Sequence, residues 1–379
     1  MLNMKKIVIA ADSFKGSASS IQVADYLERG LHEADSSLKI IKVPLADGGE
    51  GTVMAIIKAT NGHLMTSKVS GPASGHVEAQ WGLLPNHTAV IEMAAAAGFT
   101  QDRQQNVALK STYGVGELIK QALDHHATKI YVGLGGSSTN DGGVGMAQAL
   151  GGRFFDQNGA EIPHGMTGLR ELAGVNLEGI DHRIQNVQVI GLADVDNPLT
   201  GKNGATRIFG PQKGVRPDQV AEFDNQLNHL SQLTATVLGT DYSTLPGAGA
   251  AGGLGFGVLA FLGGRLTSGI AKMIEIVHLQ ARIQNADLVI TGEGRIDQQT
   301  LNGKLPLGVA QLTHKAGVPT IAVAGSVSED VQRLYEHGFD LILSTMTSPM
   351  TVDEAIQQAP QLITQTGYRI GKMIQLINR

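Results

Sequence analysis

Five apolar runs of this chain break off into short polar loops, and each of those loops joins glycine to a carboxylate. They are "ADSFKGS" with Asp12, "ADGGEGT" with Asp47 and Glu50, "GGSSTNDGG" with Asp141, "ADVDNPLTG" with Asp194 and Asp196, and "TGEGRID" with Glu293 and Asp297. A short, unbroken apolar run suits a strand buried on both faces, as in parallel sheets covered by helices. In such sheets ligands bind beyond the carboxyl ends of the strands. Any one loop also reads as ordinary turn chemistry, since Asp, Asn, Gly and Ser dominate turns. Their recurrence is what points to a shared ligand cleft.

The rest of the pattern agrees with an α/β fold. "KIVIA" reads as a strand, and "SASSIQVADYLERGLHEA" places Ile21, Ala24, Leu27 and Leu31 on one helical face. Ser19 and Gln22 form a candidate capping box. "TVMAIIKAT" starts a second helix with Gly62 near its end, and "GVGELIKQALDHH" matches the amphipathic template. Alternation in "SKVSGPASGHVEAQWGLL" predicts antiparallel strands. "DLVITGEGRID", "TIAVAGSVSED" and "DLILSTM" return to buried strands separated by helices, with Gly317 closing one of them. The regular parts lie at both ends of the chain. The expected fold is therefore a doubly wound parallel-sheet domain, Rossmann- or flavodoxin-like, from residues 1–66 and 285–379, with a mixed α/β domain of residues 67–284 inserted.

At 379 residues the chain is long enough for two domains. A net charge of −5 offers no basic field for nucleic acid, and 4% aromatics leave no base-stacking platform. The absence of cysteine excludes disulfides, thiolate catalysis and Cys-ligated zinc. The start "MLNMKKIVIAADSF" lacks the apolar core and cleavage site of a signal peptide, so a cytoplasmic location is expected. The uncharged run Leu245 to Gly264 is near membrane-spanning length, but its glycines keep it weakly hydrophobic, and a buried helix in close backbone contact is the expectation. The G-x-G-x-x-G at Gly247, Gly249 and Gly252 has no strand before it, so it reads as a close-packing or phosphate-approach loop.

"GLGGSSTNDGG", Gly133 to Gly143, carries the most chemistry. It follows the apolar run Ile130 to Val132 and leads into "VGMAQAL", so its amides are candidates for an anion site at a helix N-terminus. Ser137, Ser138 and Thr139 add hydroxyls; Asn140 and Asp141 suit either a helix cap or, for Asp141, a phosphate-bound metal. No P-loop and no H-E-x-x-H occurs. The D-x-D of "GLADVDNPLT" resembles the first motif of haloacid-dehalogenase phosphatases, with Asp194 as nucleophile and Asp196 as acid/base, although Asn197-Pro198 departs from that pattern.

Taken in order, "DSFKGS", "LADGGEGT", "GLGGSSTNDGG", "DVDNPLTG", "FGPQKG", "PGAGAAGGLG" and "DLVITGEGRIDQQTLNGK" resemble the type I glycerate kinase family from Ile7 to about residue 325. Ala11, Ser138 and Val215 are small departures that remove no charged or amide group. The resemblance implies ATP- and Mg2+-dependent phosphorylation of D-glycerate, most simply at the 2-hydroxyl, with 3-hydroxyl transfer and the phosphatase as alternatives. It also implies two α/β domains with the active site between them. On the chemistry of phosphoryl transfer, Gly135, Gly136, Ser137, Ser138, Thr139 and Asn140 are expected to cradle ATP phosphates. Asp194 with Asp47 or Asp141 is expected to hold magnesium, and Asp47 or Asp194 to serve as base. Ser13, Lys15, Arg295 and Glu293 are expected at the substrate, with Lys15 and Arg295 clamping its carboxylate or the transferred group. Glu293 and Asp297 have a second reading as ion-pair partners of Arg295.

Overall fold

A computed structural model describes residues 4–99, 101 and 106–379. Its contacts divide the chain into two compact units. The first joins Met1–Asp47, Met54–Thr60 and Ile270–Arg379; the second joins Gly48–Val53 and Asn61–Gly269. The C-terminal limit of the second unit is Gly269 rather than 284, and the helical stretch Leu279–Ile283 belongs with the first unit.

The first unit is built on a five-stranded sheet in the order Leu341–Ser344, Thr320–Val327, Leu288–Ile296, Lys6–Ile9, Lys39–Lys42, with every pairing parallel. Side chains alternate between its faces. Ile7, Ile9, Ile321 and Val323 join one core with Leu27, Leu31, Ile363 and Ile370 of helices Ser20–Ala34 and Ala359–Ile377. Ala322, Ala324 and Ile342 join the other, with Leu307 and Ala310 of helix Leu305–Ala316. Burial on both faces explains why these strands read as unbroken apolar runs. Helices Ser20–Ala34 and Ala359–Ile377 cross closely at glycine: a Cβ on Gly30 would fall 1.9 Å from the Thr364 carbonyl oxygen. The Ser19–Gln22 capping box forms as expected.

Strand order reverses between Leu288–Ile296 and Lys6–Ile9: the chain moves outward on one side through Lys39–Lys42 and on the other through Thr320–Val327. This is the switch point at which doubly wound sheets open a crevice for ligands beyond their carboxyl ends.

The second unit holds a six-stranded mixed sheet, in the order Arg265–Thr267, Gln188–Leu192, Lys129–Gly133, Thr88–Glu92, His76–Leu83, His63–Ser70. The first four run parallel, and the last two form the antiparallel pair expected from their alternation. Helix Tyr113–Asp124 buries Val115, Leu118, Ile119, Ala122 and Leu123, the face read from the sequence. The run near Leu245–Gly264 forms helix Ala250–Leu262, all of whose residues are buried. Among the described residues no helix is long and apolar enough to cross a membrane.

Candidate active site

In the first unit, charged groups gather at the switch point. Strand Lys6–Ile9 continues into the loop through Ala10 N–H to Ile290 O and Asp12 N–H to Gly292 O, so Asp12 lies alongside Glu293 of the neighbouring strand. Asp12 is 5% exposed. Burial pushes its carboxyl up to about 7, and the neighbouring Asp47 charge adds to that; the Ser13 N–H, 2.6 Å from Asp12 Oδ1, and Lys15 pull the other way. Lys15 reaches from the same loop to Asp47 Oδ2 at 3.1 Å, with its own side chain largely in solvent. Asp47 leads from the neighbouring edge strand Lys39–Lys42, and Ser13 is half-buried beside Asp12.

Glu293 is raised by burial and held by Lys304 at 3.5 Å and by the Thr300 hydroxyl at 3.0 Å. Arg295 pairs instead with Asp297, at 3.1 Å, while its side chain stays 70% exposed. The structural ion pair considered for Arg295 thus exists with Asp297, and Glu293 has Lys304 as its partner. Asp297 is also an N-cap: it accepts from Gln299 N–H at 3.0 Å, fixing the turn Gln298–Asn302 that carries Thr300.

In the second unit, most of the glycine loop turns inward. Asp141 is fully buried. Its Oδ2 accepts from Thr112 N–H, the Thr112 hydroxyl and Gly145 N–H at 2.7, 2.9 and 3.2 Å, and its Oδ1 from Gly143 N–H at 3.2 Å. Four donors thus take up the lone pairs of Asp141, the carboxylate considered for a metal, two of them the amides at the helix start. The following helix, Val144–Ala149, is six residues long, so the expected helix-terminal anion site is not what this loop presents. Ser138 is also turned in, its hydroxyl donating to Ala97 O at 3.0 Å, and Asn140 donates to the Thr206 hydroxyl at 2.9 Å. Threonine 112 couples this cap to the helix, because its hydroxyl also accepts from Met146 N–H at 2.9 Å. Thr112→Val removes a donor from a buried carboxylate and an acceptor from a buried amide. It is expected to cost about 3 kcal/mol, read as a lowered midpoint in chemical denaturation.

What faces outward is Gly135, half-buried, and Gly136, exposed, with Ser137 just beneath the surface. Gly136 adopts φ +73°. Lys213, in the turn Pro211–Lys213 of "FGPQKG", is buried behind them, its ammonium 2.7 Å from both Ser137 Oγ and Thr139 O. Burial lowers the Lys213 pKa to about 7 against the opposing attraction of Asp141.

The loop rests on "PGAGAAGGLG": Gly142 N–H donates to Gly252 O at 3.0 Å, and a Cβ on Gly252 would lie 2.1 Å from Thr139 O. Close packing is thus the use of those glycines. The same segment supports the "DVDNPLTG" loop, through Gly249 N–H to Asn197 O at 2.9 Å. Asp194 and Asp196 of that loop are exposed, and Asp194 Oδ1 accepts from the Ser268 hydroxyl at 2.6 Å.

The structure therefore gathers Ser13, Lys15 and Asp47, in loops, with Glu293 and Arg295, near the carboxyl end of strand Leu288–Ile296, at one end of the first sheet. It places Gly135 to Asn140, Asp141 and Asp194 in the second unit. Sequence reasoning gave Asp12 no role of its own. The signal for Asp12 was its place directly after the buried run Ile7 to Ala11, where a carboxylate is desolvated.

A doubly wound sheet with acidic groups at its switch point, and a second α/β unit bearing a glycine loop backed by a buried ammonium, fit the class of α/β phosphotransferases. The chain belongs to the glycerate kinase family, whose family model matches residues 7–375. It is 44% identical to the glycerate kinase of Bacillus subtilis (strain 168) and 44% identical to the glycerate 2-kinase of Escherichia coli (strain K12), in each case over 98% of both chains. The crystal structure of a protein described as glycerate kinase 2, from Salmonella typhimurium LT2, superposes with a TM-score of 0.86 at 41% identity, covering 99% of each chain. These matches do not favour the haloacid-dehalogenase reading of Asp194 and Asp196. Among the described residues no group of three or more His, Asp or Glu is placed to bind a metal.

Proposed function

We propose that the protein transfers the γ-phosphoryl group of ATP to the 2-hydroxyl of D-glycerate, in the cytoplasm, with Asp12 as the general base. The observation that carries this reading is the buried Asp12 at the switch point, its carboxyl raised to about 7 beside Asp47, Lys15 and Glu293. A carboxylate with that affinity for protons is matched to taking one from an alcohol near neutral pH. As the 2-hydroxyl oxygen forms its bond to phosphorus, its O–H proton passes to Asp12, and the bond from phosphorus to the ADP oxygen breaks. Lys15 and Arg295, both largely exposed, are suited to the glycerate carboxylate, Arg295 through a bidentate pair. Asp47 orients Lys15.

The second unit supplies the donor site: Gly135, Gly136 and Ser137 receive the phosphates. Magnesium fits this donor set, because Mg2+ is commonly held by one or two carboxylates together with substrate phosphates, without a protein cage. The exposed Asp194 would hold it, and when bound the ion neutralises charge on the phosphates. The name of the E. coli relative, glycerate 2-kinase, supports the choice of hydroxyl.

ADP formation by the purified protein should require D-glycerate and magnesium together. Release of phosphate from 2-phosphoglycerate without nucleotide would instead support the phosphatase. Lys15→Met is expected to raise KM for glycerate about tenfold with little change in melting temperature, since an exposed ion pair contributes only about 0–1 kcal/mol to stability. Substrate saturation curves and thermal melts on the same preparation check both halves.

A further inference from the structure

Lys213 is an anomaly of the second unit. It is 4% exposed, and among the described residues no carboxylate lies within ion-pairing distance of it. Its ammonium donates to Ser137 Oγ and to Thr139 O, both at 2.7 Å, from a position 76 residues further along the chain than Ser137. Burying a charge to tie down a loop is costly, and a neutral amide or hydroxyl would make the same tie without that cost. The charge therefore calls for a use of its own.

A serine hydroxyl has one proton to give and two lone pairs to fill. When Lys213 is protonated, its ammonium occupies a lone pair from beneath and the Ser137 proton is directed away from it, a form present at and below neutral pH. Among the described residues Ser137 Oγ donates to no group, and the Gly136 and Ser137 amides make no hydrogen bond. Three donors, at the rim of one loop and backed by a positive charge, make a receptor for an anionic oxygen. Asp141 does not compete for these donors, since its oxygens are engaged by Thr112, Gly143 and Gly145.

We propose that Lys213 is a positioning residue for the phosphoryl donor, holding the loop through the Thr139 carbonyl and orienting the Ser137 hydroxyl to donate to a phosphate oxygen. The inference rests on the reading that this loop receives ATP phosphates.

The test is steady-state kinetics of Lys213→Met, Ser137→Ala and the double variant, with ATP and D-glycerate varied separately. Methionine keeps the length and apolar stem of the lysine and removes its charge and donors. The expected result is a rise of about tenfold in KM for ATP in each single variant, with KM for glycerate unchanged within about twofold. The double variant should be no worse than Lys213→Met, because both substitutions break one coupled unit. Lys213→Arg, which keeps charge and donors, should recover part of the loss. If Ser137→Ala leaves KM for ATP unchanged, the loop is not the donor site and the functional reading fails with the inference. If Ser137→Ala weakens ATP while Lys213→Met does not, the donor site stands and the role of Lys213 is overturned. Additive effects, or equal rises in both KM values, overturn it too. Should Lys213→Met not fold, Lys213→Gln, which keeps a donor and loses the charge, is read by the same criteria.

Discussion

Asp12→Asn is expected to lower kcat by about 100- to 10,000-fold, the range spanned by removal of a general base. The amide keeps the size of the carboxyl and can still accept from Ser13 N–H, so melting should change little at acid pH. The pH profile makes the prediction sharper. With a folded pKa of about 7, Asp12 is in its basic form above pH 7 and protonated below, so kcat/KM for glycerate should fall on the acid side with an apparent pKa near 7. Stability follows the opposite slope. Folding raises the affinity of Asp12 for its proton above the usual value of 3.8, so its contribution is fully present below about pH 3.8 and is lost as pH rises through 7. Glu92, raised by burial to about 7 while accepting from Val53 N–H at 2.7 Å, contributes with the same sign. Asparagine at position 12 should remove the acid limb of activity and flatten its share of the stability slope. An Asp12→Asn enzyme with kcat within about twofold of the original and an intact acid limb would remove Asp12 from the chemistry.

Gly252→Ala is the substitution with the largest expected effect on folding. Gly252 sits at φ +67°, between Ala251 at +54° and Gly253 at +90°, where the chain turns beneath the glycine loop before entering helix Ala250–Leu262 proper. An added Cβ would meet Thr139 O at 2.1 Å and Asn140 Cα at 2.7 Å, both on the backbone. Left-handed strain of about 1–2 kcal/mol and overpacking of about 1–3 kcal/mol both apply, so a cost of about 3 kcal/mol or more is expected. ATP use should suffer first, because the displaced backbone is the one that carries Ser137 and accepts from Lys213. Gly263→Ala is the control: φ is +59° there, but no atom lies within 4 Å of the added carbon. It should lower stability by about 1 kcal/mol and spare KM for ATP. Equal losses in the two variants, by thermal melt and ATP saturation, would show that backbone strain alone, not contact with the loop, sets the effect.

Local signals in the sequence were read well where local physics decides. The Ser19–Gln22 box, the apolar face of Tyr113–Asp124 and the alternation of His63–Ser70 with His76–Leu83 depend on neighbours a few residues away, or on one face being buried. At the end of helix Thr52–Thr60 it is Asn61, not Gly62, that adopts positive φ, an allowance asparagine shares with glycine. The directions of the loop side chains were not legible. Asp12 and Asp141 look alike in sequence, each an acid in a loop after an apolar run. Asp141 meets four donors, two of them from a segment 29 residues earlier, and becomes a cap. Asp12 is buried beside Asp47 and Glu293, which together outweigh the pull of Ser13 and Lys15, and so holds its proton to neutral pH. That difference is made by parallel register and strand order, which join residues hundreds of positions apart. The same holds for Lys213, whose partners lie on a loop it reaches only after folding.

The central claim is most directly tested by phosphorus–proton correlation NMR of the product formed from ATP, magnesium and D-glycerate by the purified protein. The account predicts a single phosphate coupled to the lone proton on carbon 2, with equimolar ADP. A phosphate coupled to the two protons of carbon 3, or ATP consumed with no phosphorylated glycerate, would contradict it.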